Sequence, residues 1–352
     1  MIYTLDTLDQ FRKGFFDILD TTQNIVITAH YSPDDDSIGS VLSLYTILVA
    51  KYENKNIRIV YTGTPVDRYK IFKNFDKIEF VPDVADFLQD TETLICCDAS
   101  QYQRFTMYPE KLKEIKNTLT FDHHASVPDE FTHALVVPEY SSNSELIYKA
   151  LDGYYTLDKD LAELFLLGIL GDTGNLAYID PKQSQVFDVV KHLIEVGEIK
   201  IDAFRARYGG IPKNIISLLQ EYAKNTTFVD IPEWPSVQYS FVSREFFEKN
   251  FFSDEDVSAA SHIYLGQYLP RVQGQSWGFV FSPRTDGGVR MSLRSLPGSV
   301  NVRLLSEALG LGSGHNRASG ANFKSIDGTP IQVEDCIEKV LDYMKNNKPV
   351  LS

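Results

Sequence analysis

Ile25-Val26-Ile27-Thr28-Ala29-His30-Tyr31-Ser32-Pro33-Asp34-Asp35-Asp36 is the stretch on which the fold turns. Five β-prone residues run straight into a polar turn. A helical pattern comes after it, with Ile38, Val41, Leu42, Tyr45, Leu48 and Val49 on one face of a 3.6-residue period. The same grammar recurs along the first half of the chain. Residues 57–61, 94–97 and 119–121 are further short apolar runs, and helical patterns run through 161–170 and 186–196. Another helix opens at Ser142, where Ser142-Asn143-Ser144-Glu145 has the form of a capping box. Strands alternating with helices predict an α/β fold with a mostly parallel sheet covered by helices on both faces.

The second half reads differently. Residues 198–225 are helical and more polar, broken by Gly209-Gly210-Ile211-Pro212. Phe279-Val280-Phe281 and Val289-Arg290-Met291-Ser292-Leu293 flank Thr285-Asp286-Gly287-Gly288, a strong hairpin signal. An amphipathic helix through Val302, Leu304, Leu305 and Leu309 comes next, then a glycine-rich loop, then a last helix over 333–344. The expected organisation is a first domain over 1–195, a helical linker over 196–225 and a smaller α+β domain over 226–352, with the active-site cleft between the domains.

Composition bounds the function. The chain has 352 residues, 43% hydrophobic and 23% charged, enough for two cores of ordinary size. No apolar run approaches the ~20 residues that span a bilayer, and the N-terminus lacks a basic segment followed by an apolar one, so no membrane partner is expected. Three cysteines, Cys96, Cys97 and Cys336, make no disulfide framework, and a reducing cytoplasm is the expected compartment. The formal net charge of -14 argues against a grip on long nucleic acid, whose affinity rests on a basic surface. A phosphate-bearing substrate should be short and held by local cations.

The residues just beyond each strand carry the chemistry. His30 to Asp36 come after the first run, Asp98 after the run at 94–97, Asp122-His123-His124 after the run at 119–121, and Asp172-Thr173-Gly174 after the helix at 161–170. In open α/β sheets ligands bind beyond the carboxyl ends of the strands. Carboxylates gathered there stay ionised only if cations neutralise them, and Asp with His but no thiolate suits a divalent ion such as Mn²⁺ or Mg²⁺. Two such ions can clamp a phosphoryl displacement, with Asp98, alone at its strand end, as the natural bridge. Each motif alone has a plainer reading. Asp34-Asp35-Asp36 suits a solvated turn or a helix N-cap, Asp122-His123-His124 a surface turn, and Gly310 a helix C-cap. The conjunction favours chemistry, since four of the seven histidines (His30, His123, His124 and His315) fall in these motifs or in the glycine-rich loop.

His30-x-x-Pro33-Asp34-x-Asp36-x-x-Gly39-Ser40, the isolated Asp98, Asp122-His123-His124 and Asp172-Thr173-Gly174 resemble, in order and spacing, the four motifs of the DHH phosphoesterases. The resemblance implies one Mn²⁺ held by His30, Asp34 and Asp98, and a second by Asp36, Asp98, His123 and Asp172; Mg²⁺ and Fe²⁺ suit the same donors. It makes Asp122 a residue that orients its neighbours and places His124 to meet the phosphate or assist proton transfer. The chain departs from the family at Asp35, where glycine is common. Arg294 and Ser295, with Gly312, Gly314 and His315, resemble the substrate-holding elements of the DHH-associated C-terminal domain, though Leu311 and Ser313 replace two expected glycines. Arg104 matches a further family position without an assigned role.

The resemblance implies hydrolysis of short oligoribonucleotides, linear dinucleotides such as pApA, or pAp, with two divalent cations as cofactors. A cyclic-dinucleotide phosphodiesterase and a non-catalytic nucleotide sensor are the alternatives. The expected partner is a small nucleotide or short oligonucleotide; for a homodimer the sequence holds no specific signal.

Overall fold

Short runs rich in β-branched residues, apolar on both faces, form strands that must be covered on both sides, and the first unit is built on that rule. The computed structural model describes residues 1–31, 33–325 and 329–351, without the side chains of Pro270, Ser313, Gly314 and His315. The chain divides into two compact units, Met1–Gly210 and Ile211–Ser352.

The first unit holds seven strands: β1 (Ile2–Tyr3), β2 (Asn24–Ala29), β3 (Asn56–Thr62), β4 (Ile78–Val81), β5 (Thr93–Cys97), β6 (Asn117–Asp122) and β7 (His133–Val136). Their order is β1-β7-β6-β5-β2-β3-β4, and every pairing is parallel. β2, β5 and β6 sit side by side at the middle, so the motifs that end them meet at one edge. The helices Asp35–Lys51, Asn143–Ala150 and Lys159–Asp172 pack together on one face. Glycines let them approach closely: a Cβ on Gly39 would stand 2.7 Å from the Leu164 carbonyl oxygen, and one on Gly168 would stand 2.5 Å from Asp36 Oδ1. The helix Leu8–Asp20 adds Phe11, Phe15 and Leu19 to the same core, and Phe11 and Phe15 meet Phe121 of β6 edge-on.

The segment expected to be a linker is shared between the cores. The helix Ile201–Tyr208 buries Phe204 and Tyr208 against Phe72 of the first unit. The helix Lys213–Lys224 gives Ile215, Leu218 and Tyr222 to a cluster in the second. Only the break at 209–212 is bare connection.

The second unit carries β8 (Thr227–Val229), β9 (Val237–Phe241), β10 (Trp277–Pro283), β11 (Val289–Ser295), β12 (Gly312–His315) and β13 (Ala318–Phe323), in the order β12-β13-β11-β10-β9-β8. β10 and β11 form the expected hairpin, with Pro283 opposite Val289 and Gly287 at φ 83° in the turn. The glycine-rich stretch is a correction. Its composition predicts a loop, yet residues 312–315 are a strand antiparallel to β13. A Cβ on Gly312 would lie 1.9 Å from the Gly320 carbonyl oxygen, so the glycine serves close strand approach rather than loop freedom. Among the described residues no helix is long and apolar enough to cross a membrane.

Candidate metal centre

The centre is assembled on three strand ends and two helix ends of the first unit. His30 comes directly after β2 and is buried. Its Nδ1 lies 2.7 Å from the Tyr31 carbonyl oxygen, which can only accept, so Nδ1 donates. Nε2 then faces two carboxylates, Asp98 Oδ2 at 3.1 Å and Asp34 Oδ2 at 3.3 Å. A ring steered by a carbonyl on one nitrogen and offered to acidic oxygens on the other is the arrangement of a metal-binding imidazole. Burial alone would hold the His30 pKa down, but the hydrogen bonds and charges of Asp34 and Asp98 outweigh it and raise it well above the usual value.

Asp34 answers both of its sequence readings at once. It is the N-cap of the helix Asp35–Lys51, where Oδ1 accepts from the Ser37 amide at 2.9 Å. Its second oxygen is the one turned to His30. Two residues on, in the first turn of that helix, Asp36 is fully enclosed. Oδ2 accepts from the Asn143 amide at 2.6 Å and Oδ1 from the Ser144 amide at 2.8 Å, so the first turn of the helix Asn143–Ala150 holds the carboxylate from behind. The Ser142 cap marked that helix start, though Glu145 accepts from the Ser141 amide and not from the cap's own as a capping box would; the grip on Asp36 left no such mark.

Asp98 lies between the two sets. It has φ 62°, the left-handed region that an ordinary residue enters at a cost, and its amide is tied to the Phe121 carbonyl at 2.9 Å. Oδ2 faces His30, while Oδ1 lies 3.4 Å from His123 Nε2. Burial would raise the Asp98 pKa, but the imidazoles of His123 and His30 prevail and hold it far below the usual carboxylate range. Three carboxylate oxygens converge on His123 Nε2, from Asp172 at 2.9 Å, Asp98 at 3.4 Å and Asp36 at 3.8 Å. Neither His123 Nε2 nor Asp98 Oδ1 has a hydrogen-bond partner among the described residues, although both are buried. Buried polar atoms left this way are costly unless something else satisfies them. Asp36 shows the opposite strain: burial first, then the charges of Asp98 and Asp172, push its pKa well above the usual value.

Asp122 at the end of β6 holds His124, accepting from its amide at 3.0 Å and meeting its Nδ1 at 2.8 Å, while Ser126 Oγ donates to the other oxygen at 3.0 Å. His124 is the more open of the pair, its side chain 38% exposed against 11% for His123. Cys97, one residue before Asp98, is buried, and its thiol pKa is pushed well up by that burial, so no thiolate competes as a ligand.

The structure thus gathers His30, Asp34, Asp36, Asp98, Asp122, His123, His124 and Asp172 at one sheet edge. Three groups of ligand atoms there have the spacing a cation needs: His30 with Asp34 and Asp98, Asp36 with His123 and Asp172, and Asp98 with His123 and His124. Sequence reasoning missed Ser126, Tyr31 and the amides of Asn143 and Ser144. They support the centre through short local contacts that leave no pattern in the sequence. Arg104 contributes its carbonyl, which accepts from the Tyr31 amide at 2.9 Å.

In the second unit, Arg294 on β11 sits opposite Ala318, and so does His315 of β12, which places the two residues in one row of the sheet. Arg294 Nη1 donates to the Leu293 carbonyl at 2.8 Å. Ser295 Oγ is buried with no hydrogen-bond partner among the described residues. The expected contacts at Gly314 and the His315 side chain lie outside the described residues.

A parallel α/β sheet with this donor set at its carboxyl edge defines a class, the hydrolases that act on phosphate esters. Within that class, the DHH family, N-terminal domain, matches residues 24–169 of the chain. It is 27% identical to the bifunctional oligoribonuclease and PAP phosphatase NrnA of Bacillus subtilis, over 86% of this chain and 90% of that one. It is 23% identical to the cyclic-di-AMP phosphodiesterase GdpP of Bacillus subtilis, over 88% of this chain and 46% of that one. In fold it is similar to an exopolyphosphatase-related protein from Bacteroides fragilis, with a TM-score of 0.81, 21% identity and 96% of each chain covered.

Proposed function

We propose that the chain is a two-metal phosphoesterase that hydrolyses short oligoribonucleotides, linear dinucleotides such as pApA, and pAp. The observation that carries this reading is Asp98, whose two oxygens face His30 on one side and His123 on the other. His30, Asp34 and Asp98 would hold one ion, and Asp36, Asp98, His123 and Asp172 the second. The unsatisfied Asp98 Oδ1 and His123 Nε2 support the fit, and donors that are all carboxylate or imidazole favour Mn²⁺, with Mg²⁺ and Fe²⁺ suited to the same set. When bound, such ions neutralise the phosphoryl oxygens and lower the pKa of water.

The protein's own groups do the rest. Asp122 would fix the His124 ring by accepting its Nδ1 hydrogen, and the ring so held would meet the phosphate or, as the imidazolium, pass a proton to the leaving oxygen. Asp36 is kept from swinging by two backbone amides. Arg294 and Ser295, with the strand of Gly312, Gly314 and His315, would hold the substrate's other phosphate or base. The names of the relatives and the net charge of -14 agree on a short substrate.

A panel of pApA, pAp, short RNA and cyclic di-AMP with added Mn²⁺ tests this. The expected result is turnover of the linear compounds well ahead of the cyclic one. Preference for the cyclic dinucleotide would favour the second reading, to which the likeness to GdpP points. Tight nucleotide binding with no hydrolysis would make the chain a sensor.

A further inference from the structure

A cation stands beside the acidic centre that the metal reading does not use. Arg68 lies in the short 3-10 turn Asp67–Ile71 that comes after β3, and β3 is the parallel neighbour of β2, so the turn belongs to the same carboxyl edge as His30 and the first turn of the helix Asp35–Lys51. Its Nη2 lies 2.6 Å from Asp35 Oδ1. The Tyr69 hydroxyl donates to that same carboxylate oxygen at 2.8 Å and accepts from Arg68 Nη2. The guanidinium also rests on the Tyr69 ring, 4.5 Å from its centroid.

This answers what Asp35 does. Where the family commonly has glycine, this chain adds a carboxylate between two expected ligands, and it is matched by an arginine. A surface ion pair formed only to cancel charge contributes little. Here the acid is the sheltered partner, 17% exposed, while the arginine is 42% exposed. A carboxylate, a hydroxyl and an aromatic face together fix the plane of the guanidinium, and all the hydrogen bonds use Nη2. Nε and Nη1 have no hydrogen bond among the described residues. A planar cation held by one nitrogen, with its other donors spare at the rim of a phosphate-processing centre, is a phosphate grip.

We propose that Arg68, oriented by Asp35 and Tyr69, binds a non-reacting phosphate of the nucleotide substrate and so sets a preference for substrates with a terminal phosphate. The assignment rests on the phosphoesterase reading above for its substrate, but not for its test. Steady-state kinetics of the wild type, Arg68→Gln and Arg68→Lys are compared on pApA and on ApA, which lacks the terminal phosphate. Arg68→Gln should raise KM for pApA on the order of tenfold with kcat nearly unchanged, and leave ApA alone. Arg68→Lys should recover part of the loss, since it keeps the charge without the fork. In parallel, calorimetry should show Arg68→Gln weakening 5′-AMP binding while adenosine binds as before. Equal effects on pApA and ApA, or no effect on either, would overturn the assignment. Should the wild type hydrolyse neither compound, the phosphoesterase reading falls, and the calorimetry still decides Arg68: unchanged 5′-AMP affinity in Arg68→Gln removes it.

Discussion

Gly168→Ala puts the helix packing behind the centre to a direct test. In an isolated helix interior this change would stabilise by about 1 kcal/mol, because glycine loses more backbone freedom on folding. In this structure the new Cβ would stand 2.0 Å from Ser144 Oγ, 2.6 Å from Ser144 Cβ and 2.5 Å from Asp36 Oδ1. None of these can yield cheaply, since Ser144 lies in a buried helix turn and Asp36 is held by two amides. Overpacking of this kind costs about 1–3 kcal/mol, and contacts this short belong in the upper half of that range, so after the propensity gain a net loss of about 1–2 kcal/mol remains. For a unit of this size that lowers Tm by about 2–8 °C. The same push displaces Asp36, so Mn²⁺ affinity should fall as well. Urea melts and Mn²⁺ titrations of wild type and variant measure both effects. Gly266→Ala is the control: it lies in the helix Asp254–Gln267 with nothing among the described residues within 4 Å of the added Cβ, and stability there should hold or rise. A Gly168→Ala protein as stable as wild type with unchanged Mn²⁺ affinity would refute the argument that this close approach positions Asp36.

Asp34→Ser should separate capping from ligation, because serine caps a helix about as well as aspartate while offering no carboxylate. The variant is expected to melt within about 1 kcal/mol of wild type without metal and to bind Mn²⁺ more weakly; equal affinity would remove Asp34 as a ligand. Mn²⁺ at about a hundred times its Kd should stabilise the protein by about 2.7 kcal/mol, with EDTA reversing the shift, and a melting curve indifferent to both would count against any metal at this centre.

Much of this was legible in the sequence because it is carried by local pattern. The runs at 25–29, 94–97 and 119–121 became β2, β5 and β6, and the residues that end them converge because neighbouring parallel strands deliver their carboxyl ends to one edge. Asp172 could be placed only once the helix ending there packed beside the helix Asp35–Lys51. The supporting contacts were illegible for the same reason. The amides of Asn143 and Ser144 reach Asp36 across more than a hundred residues of chain, and no composition or spacing announces a backbone donor. Arg68 and Asp35 stand as far apart in sequence as two unrelated surface charges. The glycines at 312 and 314 misled in the other direction, since glycine marks both a free loop and a strand whose neighbour comes too near for a side chain.

Equilibrium Mn²⁺ binding to the wild type and Asp98→Ala, read by calorimetry or electron paramagnetic resonance with the fold checked by circular dichroism, tests most directly whether one carboxylate serves two ions. Two ions per wild-type chain and the loss of both tight sites in a folded Asp98→Ala protein is the expected outcome. Two ions still bound tightly after Asp98 is removed would contradict it.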